Sequence, residues 1–337
     1  MNRRRLAAFA GAVGLLGALI ASGVAAQADT LTGVDSTLSS LMSTYLSSSQ
    51  DACVGGTSTY NSLTGTKTCT INETSTGGKN IAVCVQSNTP GTSQECMITQ
   101  TNDSSNNYAL VFQHVVGNSG PTEDATQRST ITQNMTTFGS GTGSNFAAIV
   151  QVVKQSTKQA GEQSQTVHQF NTTDQTSSSG TNFASLSESS DQSGRSDTAK
   201  QTQFSEQDAS DPNGHITQHS SGLSRVFVTQ SQLQNLSGSG PQTQTIDPRC
   251  CSVQDTNGDD VFTITQSTRQ AGNPNAQQEA NSFGTCFSSG QCTITQSASN
   301  NHASFGPSTA TCTPGVPCSS SVSCTNITEF TFCGRPD

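Results

Sequence analysis

The chain has 337 residues, of which 30% are hydrophobic and 11% charged, with 12 Cys and no Trp. So little aliphatic material argues against a conventional enzyme built round a deep apolar core. The net charge is −9, and 23 acidic residues against the 11 basic ones left beyond Arg3, Arg4 and Arg5 give about −12 after export, which disfavours nucleic acid and anionic membranes as partners.

Those three arginines, the apolar run Leu6 to Gly23 and the small residues Val24, Ala25, Ala26 and Ala28 form a signal-peptide pattern over residues 1–28. The expected location is therefore secreted, extracellular or at the cell surface. No second apolar span follows, so no transmembrane segment is expected in the mature chain. Next, Leu31, Val34, Leu38, Leu41, Tyr45 and Leu46 recur at helical spacing, predicting an amphipathic helix from about Val34 to Ser47 within an N-terminal cap over 29–52.

The cysteines fall into two groups: Cys53, Cys69, Cys84 and Cys96 early, and Cys250, Cys251, Cys286, Cys292, Cys312, Cys318, Cys324 and Cys333 late. An even number in an exported chain predicts disulfides, and no paired two-residue Cys spacing argues for zinc. The spacing leaves connectivity open. It places the staples at the two ends of a repeat domain over 53–307, with a Cys-rich C-terminal cap over 308–337.

Between the ends the chain is rich in Ser, Thr, Gln, Asn and Gly, yet it keeps phase. An aliphatic residue followed two positions later by Gln occurs at Ile98/Gln100, Ile131/Gln133, Val167/Gln169, Val228/Gln230, Ile264/Gln266 and Ile294/Gln296, among others. A second pattern, Asn-x-Ala-x-x-x-Gln, occurs at Asn80 to Gln86, Asn107 to Gln113 and Asn145 to Gln151, and imperfectly at Asn182 to Glu188. The two alternate, with 33 residues from Gln100 to Gln133, 36 from Gln133 to Gln169 and 38 from Asn107 to Asn145. The fold class read from this is all-β: a β-solenoid, or β-helix, of about 36-residue two-strand coils with an N-terminal cap helix and disulfide-stapled ends. Further on, first strands are expected at Phe204, Val228, Ile264 and Ile294, and second strands near Ile216, Ile246, Phe283 and Ala303.

Side chains alternate faces along a strand, so Asn145, Ala147, Ile149 and Gln151 share the inner face and Phe146, Ala148 and Val150 the outer. Coils stacked about 4.8 Å apart bring like residues into columns, and stacked primary amides both donate and accept along a column. The predicted ladder is Asn80, Gln86, Gln100, Asn107, Gln113, Gln133, Asn145, Gln151, Gln169, Gln230, Gln266 and Gln296.

At Asn80 to Gln86, Asn107 to Gln113 and Asn145 to Gln151 the chain resembles the second strand of the curlin repeat, the strand-turn-strand unit of curli fibre subunits. The resemblance covers roughly residues 69–305. It implies Asn/Gln ladders inside a secreted biofilm or surface structural protein. Two features depart from it: the longer coils and the Cys-rich ends. Self-association and contact with cell-surface or matrix components are the partners it implies.

The chemistry-bearing residues point to a non-enzymatic protein with no cofactor and no metal. Asp255-Thr256-Asn257-Gly258-Asp259-Asp260, continuing to Gln266, copies a calcium loop loosely, but Asp260 stands where Gly is needed and Gln266 where a carboxylate should close it. His215 and His219 are placed in a strand and its following turn rather than on a helix face. Glu188 and Glu206 are the nearest approach to the paired carboxylates of a polysaccharide-active β-helix enzyme, one alternative function. The other is ice binding by a flat outward Thr face built from Thr130/Thr132, Thr263/Thr265, Thr293/Thr295, Thr99, Thr217 and Thr229.

Overall fold

The computed structural model describes residues 35–46, 50–118, 120, 122–136, 143–157, 161–209, 215–256, 261–272, 277–288, 291–299, 304–312 and 318–325. The chain divides into two units, Met1–Ser47 and Ser48–Asp337. In the first, helix α1 runs Ser36–Tyr45 and starts at Asp35, whose carboxylate accepts from the Thr37 and Leu38 amides at 2.7 and 3.1 Å. Those amides have no intrahelical partner, and the cap satisfies them. Leu38, Met42 and Leu46 are buried along one stripe; Leu41 and Tyr45, read as part of it from the sequence, are half-buried. The signal-peptide reading of 1–28 lies outside the described residues.

Among the described residues the second unit is built of strands joined by turns. In chain order its strands are β1 (Ala52–Val54), β2 (Gly56–Asn61), β3 (Thr66–Ser75), β4 (Asn80–Asn88), β5 (Ser93–Asn102) and β6 (Asn107–Asn118). Then come β7 (Thr122–Met135), β8 (Asn145–Thr157), β9 (Gln163–Ser177), β10 (Asn182–Arg195), β11 (Gln201–Ala209), β12 (His215–Ser220) and β13 (Ser224–Ser237). The last are β14 (Gln242–Thr256), β15 (Val261–Ala271), β16 (Gln277–Ser288), β17 (Gln291–Ser299), β18 (Ser304–Cys312) and β19 (Cys318–Thr325).

These strands alternate between two sheets. A nine-stranded sheet has the order β1-β4-β6-β8-β10-β13-β15-β17-β19, and a ten-stranded sheet runs β18-β16-β14-β11-β9-β7-β5-β3-β2, with β12 between β14 and β9. From β3 onward every pairing between coils is parallel, which is the signature of a solenoid whose coil is one strand from each sheet. Only the first two strands differ: β1 lies antiparallel on β4, and β2 antiparallel on β3. Two disulfides, Cys53–Cys69 and Cys84–Cys96, cross from the nine-stranded to the ten-stranded sheet in these first coils. Of the later cysteines Cys250 is buried in β14, while the side chains of Cys251, Cys286, Cys292, Cys312, Cys318 and Cys324, and the whole of Cys333, lie outside the described part. Strands β18 and β19 continue both sheets through Thr325, so pairing does not stop at the expected boundary near 307.

The corners explain why the turns are rich in Ser and Gly. Gly143, Gly180 and Gly222 stack with their backbones touching: a Cβ on Gly180 would overlap the Gly143 carbonyl, and one on Gly222 would come within 2.5 Å of the Gly180 oxygen. Serines lock the same corners, Ser177 Oγ donating to the Gly143 carbonyl at 3.2 Å and Ser220 Oγ to the Gly180 carbonyl at 2.8 Å. Backbones this close leave no room for a side chain at those positions.

Two details of register differ from expectation. Val228, Ile264 and Ile294 belong to the nine-stranded sheet with Asn145 to Gln151, whereas Ile216 and Ile246 belong to the ten-stranded sheet, so the strand assignments are inverted beyond Phe204. The cause is that β11 and β12 occupy a single row. Asp208 pairs with Phe170 and His215 with Thr172, so positions seven apart in β11 and β12 meet positions only two apart in β9. Counting Ile216 as the next strand therefore shifts the alternation by one. Phe283 lies in β16, also in the ten-stranded sheet, and Ala303 is outside the described residues.

Candidate functional site

The inner faces of the two sheets are organised as columns that run across coils. Aliphatic residues fill the middle: Ile71, Ile98 and Ile131 align in one sheet, and Cys84, Val111, Ile149, Leu186, Val228, Ile264 and Ile294 in the other, all buried. Amides flank them. Asn80, Asn107, Asn145 and Asn182 form one column, each Nδ2 donating to the next Oδ1 at 2.9 to 3.0 Å. Gln86, Gln113 and Gln151 form a second at 2.9 and 2.7 Å, and its continuation Gln230, Gln266 and Gln296 repeats the contact at 2.7 Å.

The ten-stranded sheet carries its own columns. Gln133 donates to Gln100 at 2.8 Å, Gln175 to Gln133 at 2.7 Å and Gln218 to Gln175 at 2.7 Å. Gln169 stands in another column: it donates to Gln127 at 2.8 Å and accepts from Gln207 at 2.8 Å. The equivalence of Gln133 and Gln169 read from the sequence is thus a slip of six residues. It arises because β9 is 15 residues long and carries Gln at both 169 and 175. Likewise Gln230, Gln266 and Gln296 continue the Gln86 column rather than that of Gln100.

Each of these amides has two N–H groups, and the second closes the coil. Gln133 Nε2 also donates to the Phe146 carbonyl at 3.1 Å, Gln175 Nε2 to that of Phe183 at 2.9 Å and Gln218 Nε2 to that of Arg225 at 3.2 Å. One proton joins neighbouring coils and the other joins the two sheets of a coil. A buried primary amide normally carries a large desolvation cost, and here its donors and acceptor are used in fixed directions. Sequence reasoning missed the columns of Gln94, Gln127 and Gln207, of Gln165, Gln203 and Gln244, and of Gln155, Gln192, Gln234 and Gln270. The signal for them was the Gln-x-Gln alternation at 163/165, 201/203, 230/232/234 and 242/244.

One carboxyl interrupts the columns. Glu188 takes the Gln position between Gln151 and Gln230 and is fully buried. It accepts from Gln230 Nε2 at 2.6 Å and from Asn171 Nδ2. Asn171 reaches in from the ten-stranded sheet and also donates to Gln151 Oε1 at 3.1 Å, bridging the contact that a Gln at 188 would make. Burial raises the Glu188 pKa to about 8, with Asp208 adding to the rise and the two amide donors opposing it. A carboxylic acid there is therefore protonated at neutral pH.

Glu206 lies on the other side of the wall. It faces outward from β11, half-buried, with its carboxylate 2.9 Å from His168 Nδ1, and that hydrogen bond holds its pKa below the usual carboxylate value. The two glutamates do not form a pair. Around Glu206 the outward side chains engage one another: the Arg128 guanidinium lies 4.9 Å over the Phe170 ring, His168 stacks on Phe170 at 5.7 Å, and Arg249 grips Asp247 through both Nε and Nη2. His215 is 2.9 Å from Asp174. Among the described residues no group of three or more His, Cys, Asp or Glu side chains could hold a metal ion. The calcium-like segment beyond Thr256 lies outside them.

The outer faces are not uniform. On the nine-stranded sheet Tyr108, Phe146 and Phe183 align across coils, rings 5.2 and 6.5 Å apart, and with Leu110, Phe112 and Val150 they are buried although they face away from the amide columns. The expected Thr face is divided. Thr99, Thr130, Thr132 and Thr217 lie on the ten-stranded sheet, in rows interrupted by Asp174 and His215, and Thr229, Thr263, Thr265, Thr293 and Thr295 on the nine-stranded sheet. Among the described residues no helix is long and apolar enough to cross a membrane. Comparison with protein-family models, with curated proteins and with solved structures found no match.

Proposed function

We propose that this chain is a secreted, non-enzymatic structural or adhesive surface protein, curlin-like in its use of Asn/Gln ladders. The observation that carries the reading is the allocation of polar groups. The inward amides are engaged in holding coil to coil and sheet to sheet. On the ten-stranded sheet three outward pairs, His168–Glu206, His215–Asp174 and Arg249–Asp247, engage ionisable groups with each other. A protein whose polar side chains serve its own rigidity acts through the surfaces it presents to matrix or cell-surface components.

The antiparallel strands β1 and β2 bear on its assembly. They cover the first coil with pairing of the opposite sense, which blocks the continuous parallel stacking of a fibre at that end. The function reading is tested by thioflavin fluorescence and particle size of the purified, oxidised protein, together with retention on surfaces coated with cell-wall polysaccharide. Retention without turnover of the polysaccharide is expected, as a discrete particle or as a thioflavin-positive fibre. Release of reducing sugar would overturn the non-enzymatic reading.

A further inference from the structure

The outward rows of β13, β15 and β17 carry an array of hydroxyl side chains in register between coils. Thr229, Thr265 and Thr295 are in register, one per coil, and Thr263 and Thr293 repeat the arrangement two residues earlier. Two residues later the row is Ser231, Ser267 and Ser297. These positions are exposed or half-exposed, and no charged side chain stands among them; Arg225 and Arg269 border the rows on the same face. Parallel strands set the hydroxyls about 4.8 Å apart across coils and about 6.6 Å apart along a strand.

The grid is held rigid from behind. Thr265 sits between Ile264 and Gln266, and Thr295 between Ile294 and Gln296; all four neighbours are fully buried. Gln266 and Gln296 are tied into one amide column at 2.7 Å. A β-branched Thr adds its own stiffness at χ1. The result is an array of hydroxyls and methyls in register between coils and at period two along each strand.

A single solvated hydroxyl gains little from a new partner, because water already bonds it. Only a ligand with a matching repeat in two dimensions engages the whole grid at once. A flexible glycan or peptide has no such repeat, and the Thr and Ser positions themselves offer no ionic contact. We propose that this face, on the C-terminal half of the nine-stranded sheet, binds the ordered water lattice of ice. The ten-stranded sheet, with Glu95, Arg128, Asp174 and Glu206 outward, does not.

The experiment is partition of the purified, oxidised full chain into a slowly growing ice front, with thermal hysteresis as second readout. Wild type should be enriched in the ice. Thr265→Tyr should lose the enrichment, while Thr132→Tyr on the other sheet should keep it, with circular dichroism spectra unchanged. Ser267→Tyr, at a second exposed position of the grid, replaces Thr265→Tyr as the test if the latter misfolds. Exclusion of wild type from the ice overturns the proposal. So does enrichment that survives both grid substitutions, or that Thr132→Tyr abolishes equally.

Discussion

Replacing Glu188 by Gln should stabilise the solenoid at alkaline pH and remove its loss of stability there. The carboxyl is fully buried, and its pKa is raised from 4.5 to about 8, chiefly by burial. In the unfolded chain it titrates near its ordinary value, so between the two values the folded state holds a proton that the unfolded state releases. Below pH 4.5 both states are protonated and the stability attached to Glu188 is fully present; it falls as the pH rises and is lost by the time the pH passes about 8. At about 1.4 kcal/mol per pH unit, the gap between 4.5 and about 8 amounts to a loss on the order of 5 kcal/mol. Gln is neutral throughout, and its Nε2 would donate to Gln151 Oε1, the contact now bridged by Asn171. Urea unfolding followed by circular dichroism at pH 5, 7 and 9 reads the difference. The wild-type midpoint should fall from pH 7 to pH 9, that of Glu188→Gln should not, and at pH 9 the variant should be the more stable; below pH 7 the buried His114, whose pKa is lowered, acts in the opposite sense in both proteins. Midpoints that fall in parallel would refute the assignment of Glu188 as the buried titrating group.

Three further outcomes follow from the same structure. Gln133→Leu removes the donors to Gln100 Oε1 and the Phe146 carbonyl and the acceptor used by Gln175, so it should destabilise by about 2–4 kcal/mol. The outward Thr132→Ala should stay within about 0.5 kcal/mol, and equal urea midpoints for the two variants would remove the column argument. Replacing both Cys53 and Cys69 by Ser should lower stability by about 2–4 kcal/mol, measured as the denaturation midpoint of the oxidised protein against wild type. Gly180→Ala should disrupt a corner, whereas Gly77→Ala, with nothing within 4 Å of the added methyl, should leave the melting temperature unchanged.

Much of this architecture was legible because a strand alternates strictly. The inward set Asn145, Ala147, Ile149 and Gln151 follows from period two, and all four are buried in the lumen. The helix was legible too, although of the residues read as its stripe Leu38 and Leu46 are buried while Leu41 and Tyr45 are half-buried, and the buried Met42 was not among them. Register was harder to read. The aliphatic-x-Gln pattern fits either sheet, so Val167/Gln169 and Ile131/Gln133 look alike although they lie in different columns. Nor does the sequence announce that β12 rejoins the row of β11, because Ile216/Gln218 carries the same local pattern as a strand of a new row. Asn171 bridging Gln151 and Glu188 is a contact between opposite sheets, visible only once the coils are closed.

Rigidity held inside frees the outside to vary. A globular protein of ordinary composition must use its apolar faces for its core, so its surface chemistry is tied to its fold. Here the amide columns hold coil to coil through residues that alternate with the outward ones, and an outward substitution leaves those bonds intact. The consequence is visible along the nine-stranded sheet. Its outward rows are aromatic and aliphatic from β6 to β8, with Tyr108, Phe112, Phe146 and Val150, and hydroxyl-bearing from β13 to β17. Over the same coils the inward Gln row changes only at Glu188. Selection on binding can therefore act on each outer patch separately while the inner columns keep the coils in register.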